Sequence, residues 1–370
     1  MFTIAGYPTF IKVALIIIAI AFAGVLCCFI TIVVLRLRTR ITDRRTKWHL
    51  HLIDHLLTQE IVMNEQLHKG FAPDEIELAL EPFNVLPLHK QWCRNLLVQR
   101  IIYYRRGLSG NTTRLLRKLY MSLHLYRKPE YQITSFTPKE IVQGLSELCS
   151  MDVAIDKDYL MSLARHHNRN VMEMARCASV RLLRKPFCFF KEVKQPILPW
   201  ERLELLRLLS LRTDITIPSF AHWISRRYHP SVVSFCIRAA ACYQQFEAIP
   251  LLVALLDSED LQLRADAVNA LGKLMAENAE EHLVNMYAQQ PEAIKLEILK
   301  ALGRIGSGHC LYFLEREFLQ SEDFDVRKNS ARSIVNHKAF AMNLVKRLTI
   351  NTLGLPHQIM LHSLNPLNRN

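Results

Sequence analysis

Residues 82–129 contain no aspartate or glutamate, and residues 13–35 contain no charged side chain of either sign. Chemistry-bearing motifs are missing too. No GxxxxGKS/T, no GxGxxG behind a strand, no GxSxG and no HExxH occurs, so the common phosphate loops, nucleophile elbows and zincin helices are absent. The nine cysteines form no CxxC pair and no paired spacing, which excludes a thiolate zinc site and a disulfide framework and fits a reducing compartment. Sustained period-2 alternation and Asn-Gly hairpin signals are lacking, so strands are not expected. Only 11 glycines and 15 prolines interrupt 370 residues that are half hydrophobic, which rules out a collagen or a disordered chain.

The uncharged run 13–35, VALIIIAIAFAGVLCCFITIVVL, is long enough at about 1.5 Å per residue to span a bilayer core of about 30 Å, and it reads as a transmembrane helix. A cleaved signal peptide competes through small-x-small sites at Ala19 to Ala23. The run is too long for that, and cleavage would leave a dozen apolar residues behind. Lys12 alone precedes the helix, whereas Arg36, Arg38, Arg40, Arg44, Arg45 and Lys47 follow it against one Asp43. By the positive-inside rule the C-terminal body lies in the cytoplasm and the N-terminus outside it. Cys27 and Cys28 fall near mid-membrane.

The rest reads as helical, and its C-terminal half repeats. Ala175, Leu206, Ile237, Val268, Leu299 and Ala331 recur every 31 or 32 residues. Cys177, Leu208, Ala239, Ala270, Ala301, Ser333 and Ala178, Leu209, Ala240, Leu271, Leu302, Ile334 keep step. A helix pair that cannot bury its apolar face alone stacks on its neighbours, with small residues in one column for close approach.

The run 255–264, LLDSEDLQLR, with Ala265 to Leu274 behind it, resembles a HEAT or HEAT-like repeat, and Ser321 to Arg327 repeats its turn. The resemblance covers roughly 170–337. It implies an α-solenoid that binds proteins on its concave face, usually without catalysis, with Arg264, Lys295 and Arg327 as concave-face candidates. The expected fold is therefore all-α: a short extracytoplasmic N-terminus 1–12, a transmembrane helix 13–35, a basic membrane-proximal region 36–165, a HEAT-like solenoid 166–337, and a cap with an apolar tail 338–370. In that tail Ile350, Leu353, Leu355, Ile359, Met360, Leu361, Leu364 and Leu367 exceed what one capping helix buries.

Charge is concentrated. The net +13 is more than accounted for by 36–47 and by the ten cations of 82–129, whereas the chain from 200 onward is nearly balanced. Arg94, Arg100, Arg105, Arg106, Arg114, Arg117 and Lys118 are the candidate binding residues, interleaved with Trp92, Tyr103, Tyr104 and Tyr120. Three ligands compete: an anionic leaflet next to the anchor, an acidic protein partner, and nucleic acid, the last disfavoured because no recognition motif accompanies the segment. An anion at the start of the helix after Gly107 competes with a plain N-cap by Asn111, Thr112 or Thr113. His51 and His55 share a helical face beside Asp54, yet no third ligand is set, so no metal and no cofactor is expected.

The expected function is a membrane-anchored, non-catalytic scaffold or adaptor in the inner or plasma membrane. It would dock a protein partner, as a subunit of a membrane assembly such as an envelope polysaccharide synthase. The alternative is a regulatory subunit that senses a phosphorylated or nucleotide ligand through its basic segment.

Overall fold

The computed structural model describes residues 9–365, and all regular structure among them is helical. Most of the expected N-terminal stretch 1–12, and Leu367 of the tail, lie outside the described residues. The chain forms two compact units, Met1–Val153 and Ala154–Asn370.

The first unit begins with α1 (Thr9–Leu57), a single helix of 49 residues and about 73 Å. It is the one helix among the described residues long and apolar enough to cross a membrane. Residues 20–40 are exposed throughout, whereas Ile53 and Leu57 are fully buried. The expected boundary at 35/36 is thus no structural break. After Gly24 the helix contains neither glycine nor proline, the usual sites of kinks. A π-helical turn, Thr58–Val62, ends it, and α2 (Glu65–His68) follows, capped by the Asn64 side chain.

Beyond an irregular stretch that buries Ile76, Phe83 and Leu86 come α3 (Gln91–Gly107), α4 (Asn111–Ser122), α5 (Arg127–Ile133) and α6 (Pro138–Ser150). α3 lies beside α1 and runs in the same direction. Trp92 meets Arg45 and His49, Arg100 meets Asp54, and Tyr104 meets Thr58. Pro129 sits in the first turn of α5, where a missing N–H costs nothing. Gly144 of α6 lets the Pro129 carbonyl come within 2.8 Å of where a Cβ would stand.

The second unit starts with α7 (Lys157–Leu163), whose buried Leu160, Met161 and Leu163 pack on α8 (Arg169–Leu182). That packing moves the division between units ahead of 165/166. Then follow α9 (Pro199–Ser210), α10 (Pro230–Cys242), α11 (Ile249–Ala254), α12 (Leu261–Lys273), α13 (Glu280–Met286), α14 (Glu292–Ile305), α15 (Leu311–Gln320), α16 (Phe324–Asn336), α17 (Met342–Asn351) and α18 (Gly354–Leu364).

The 31-residue period places each of its three columns once on α8, α9, α10, α12, α14 and α16, and every column residue except Leu206 is buried. α8 packs on α9, and α10, α12, α14 and α16 pack one on the next. Each of α12, α14 and α16 is backed by the preceding helix, α11, α13 or α15. Behind α10 the backing element shrinks to a 3-10 turn, Phe220–Trp223, whereas the turn ahead of α9, Cys188–Glu192, packs on α8. Large rings supply the missing volume: Phe187, Phe190, Phe220, Trp223 and Phe235 form one aromatic cluster.

Neighbouring helices approach most closely at glycine. A Cβ on Gly272 would lie 2.7 Å from Ala301 Cα, and one on Gly303 would lie 2.6 Å from Ser333 Cα. Ala301 and Ser333 belong to the column expected to sit at close approach, and a glycine two residues beyond that column on the preceding helix makes the approach possible. Alanine normally stabilises a helix over glycine by about 0.5 to 1 kcal/mol. Here the sign reverses. Gly272→Ala and Gly303→Ala should each destabilise by about 1 to 3 kcal/mol through overpacking, whereas Gly107→Ala, with open space around it, should be neutral or stabilising. Thermal melts followed by circular dichroism check all three.

Candidate functional site

The basic segment divides into arginines built into the fold and arginines left at the surface. Arg100 grips Asp54 with two donors, the Nη2–Oδ2 bond at 2.8 Å, and its guanidinium lies 4.3 Å over the Tyr103 ring. Arg105 donates to the Ser150 carbonyl and, at 2.6 Å, to Asp152, tying the end of α3 to the end of α6. Lys118 donates to the carbonyls of Pro73, Asp74 and Ile76 at 3.3, 2.8 and 2.7 Å, fastening the irregular stretch under α4. Arg94 is half-buried with its Nε unpartnered. Arg106, Arg114 and Arg117 are exposed, and no hydrogen bond or ion pair engages their side chains among the described residues. The N-cap of α4 is Gly110 at φ 70°, not Asn111 or a threonine, and the Thr113 hydroxyl donates back to the Gly110 carbonyl.

The concave-face candidates each engage groups of their own chain. Arg264 donates through Nε and Nη2 to the Ser258 carbonyl six residues earlier, and Arg327 makes the same Nε bond to Ser321. In both turns the aspartate, Asp260 or Asp323, caps the following helix. The shared S-E-D-x-x-x-R pattern is thus a turn-closing device. Lys295, where the turn differs, lies 5.5 Å over the Tyr287 ring.

A second polar series keeps the 31-residue step: Arg207, Arg238, Asn269 and Lys300. Arg238 donates to Asp266 on the next helix at 2.7 Å, and Asn269 to Glu297 at 2.9 Å, which also accepts from Lys300 at 2.7 Å. The same period that marked the apolar columns would have found this series had it been applied to polar positions. Between α8 and α9 the pair Arg176–Glu201 is wholly buried, and burial lifts the Glu201 carboxyl above its usual range against the pull of Arg176.

Catalytic or metal chemistry gains little. Asp54 is held by Arg100 instead of standing free beside His51 and His55, and no group of three His, Cys, Asp or Glu suited to a metal occurs among the described residues. Cys310 and His337 are buried together, Sγ 3.7 Å from Nε2, while the Gly308 N–H donates to Nδ1 at 3.0 Å. Burial pushes the Cys310 thiol up to about 12 and the His337 imidazole down, leaving a protonated thiol beside a neutral ring.

No family model matches the chain, and no curated protein matches it. Among solved structures, one engineered protein from a structural genomics consortium is 16% identical, covering 58% of this chain and 97% of its own with a TM-score of 0.32. A second is 14% identical, covering 74% and 80%, with a TM-score of 0.33. Both are too distant in shape to carry fold or function across.

Two outcomes follow from this geometry. Arg105→Ala and Lys118→Met should each destabilise the chain by about 1 to 2 kcal/mol, because bonds that tie separate segments to a charged group are lost. Arg106→Ala, Arg114→Ala and Arg117→Ala should stay within about 0.5 kcal/mol, all read by thermal melts. A histidine whose folded pKa is lowered contributes stability above its unfolded value of about 6.5 and loses it as pH falls toward the folded value. The melting temperature should therefore drop from about pH 7.5 to about pH 5.5, and the drop should be smaller in the His337→Gln chain.

Proposed function

We propose that the chain is a single-pass membrane anchor joined to a cytoplasmic, non-catalytic α-helical scaffold of HEAT-like repeats. It docks a protein partner within a membrane assembly. The observation that carries this reading is α1: one unbroken helix is exposed over residues 20–40 and fully buried at Ile53 and Leu57, where it joins the helical body. An apolar surface of that length requires a lipid or protein environment. The cations just beyond it orient the body to the cytoplasm.

The repeat reading is supported by the burial of all but one of the 31-residue column positions and by the serial packing of α10, α12, α14 and α16. Docking through the basic segment is supported by Arg106, Arg114 and Arg117, the named arginines that the fold does not use.

Protease protection in sealed vesicles should leave the region after α1 accessible only from the cytoplasmic face. Co-purification in gentle detergent, read by mass spectrometry, should lose its partner in the Arg106→Glu, Arg114→Glu, Arg117→Glu chain at unchanged melting temperature. Retention of the partner at wild-type yield would move docking to the repeats, and a protected C-terminal body would end the cytoplasmic reading.

A further inference from the structure

The cations of the first unit stand at two heights along one rod. Resting on the reading of 13–35 as the membrane span, we infer that Arg106, Arg114 and Arg117 dock an acidic protein surface standing about 30 Å beyond the end of the apolar span, out of reach of lipid headgroups.

The rod supplies the ruler. From Leu35 to Asp54 α1 climbs about 28 Å, and to Thr58 about 34 Å. Because α3 runs parallel to it, Arg100 stands level with Asp54 and Tyr104 level with Thr58, so Arg106 is higher still. α4 packs on α3 and on the Thr58–Val62 turn, which puts Arg114 and Arg117 near the same level. A helix tilt of up to about 40° still leaves more than about 20 Å. Attraction to an anionic leaflet fades over a Debye length of about 8 Å, so little remains there. Arg36, Arg40 and Arg44, exposed within about 14 Å of the span's end, are the cations the leaflet reaches.

The patch cannot fold down to the membrane on its own. No glycine or proline interrupts α1 after Gly24. Arg105 ties α3 to Ser150 and Asp152, and Lys118 ties α4 to three carbonyls. What remains exposed has the composition of a protein interface. Tyr103 and Arg106 are neighbours three apart on α3, and Arg114 and Arg117 are three apart on α4. With no carboxylate between residues 82 and 129 to neutralise them, these guanidinium forks are free for bidentate pairing with a partner's acids.

The test uses the full chain reconstituted in phosphatidylcholine vesicles, with or without phosphatidylserine, and poly-L-glutamate as the acidic probe. Arg106→Glu, Arg114→Glu, Arg117→Glu should weaken poly-L-glutamate binding at least about tenfold in both vesicles, whereas the charge-matched Arg226→Glu, Arg227→Glu, Lys346→Glu chain should change by less than about twofold. Energy transfer from a fluorescent amino acid at Asn111 to headgroup dyes should be the same with and without phosphatidylserine. Two results overturn the inference. One is a donor drawn toward phosphatidylserine vesicles in the wild type but not in the triple variant, which makes lipid the ligand. The other is an equal loss of binding in the control chain, which makes the patch no different from other surface charge. If alkaline carbonate extracts the chain from the vesicles, the membrane-span reading fails by itself, whatever the poly-L-glutamate result.

Discussion

In the second unit α12 meets α14, and α14 meets α16, at a residue that has no side chain. Gly272 faces Ala301 and Gly303 faces Ser333, in each case within a distance that a single methyl group would violate. That approach sets the spacing of α12, α14 and α16, and the spacing decides which positions are closed to water. Ala270, Leu271, Ala301, Leu302 and Ile334 are buried because the helices meet this closely. α10 reaches the same burial differently: a short 3-10 turn backs it, and a cluster of phenylalanines with Trp223 fills the volume that an outer helix would occupy.

Arginine has two roles in this chain, distinguished by what surrounds it. In the turns before α12 and α16 it closes a backbone carbonyl six residues back. At Arg100, Arg105 and Arg176 it pairs with a carboxylate that another part of the same unit supplies. These bonds tie such groups into the fold. Arg106, Arg114 and Arg117 are exposed on α3 and α4, where no carboxylate among the described residues pairs with them. A run of positive charge is thus not one surface but a structural set and a free set.

The first unit couples height to orientation. α1 continues past its apolar stretch without a flexible joint, and the parallel packing of α3 extends the rod sideways into a body. Asp54 with Arg100 and Thr58 with Tyr104 fix the register of that packing. Shifting α3 by one turn would bring other residues to Asp54 and Thr58.

The sequence by itself determined the helical class, the apolar span and the 31-residue columns, because these rest on local periodicity and composition, which need no knowledge of distant contacts. It also made 82–129 stand out as basic. Only the tertiary structure decided that Arg264 and Arg327 close turns, that α1 runs on to Leu57, and that the first unit ends at Val153. It likewise separated Arg105 and Lys118 from Arg106, Arg114 and Arg117. For Arg105 and Lys118 the reason is that whether a long cationic side chain is free depends on carbonyls and carboxylates brought near it from about 45 residues away, and no local pattern in the chain records that meeting.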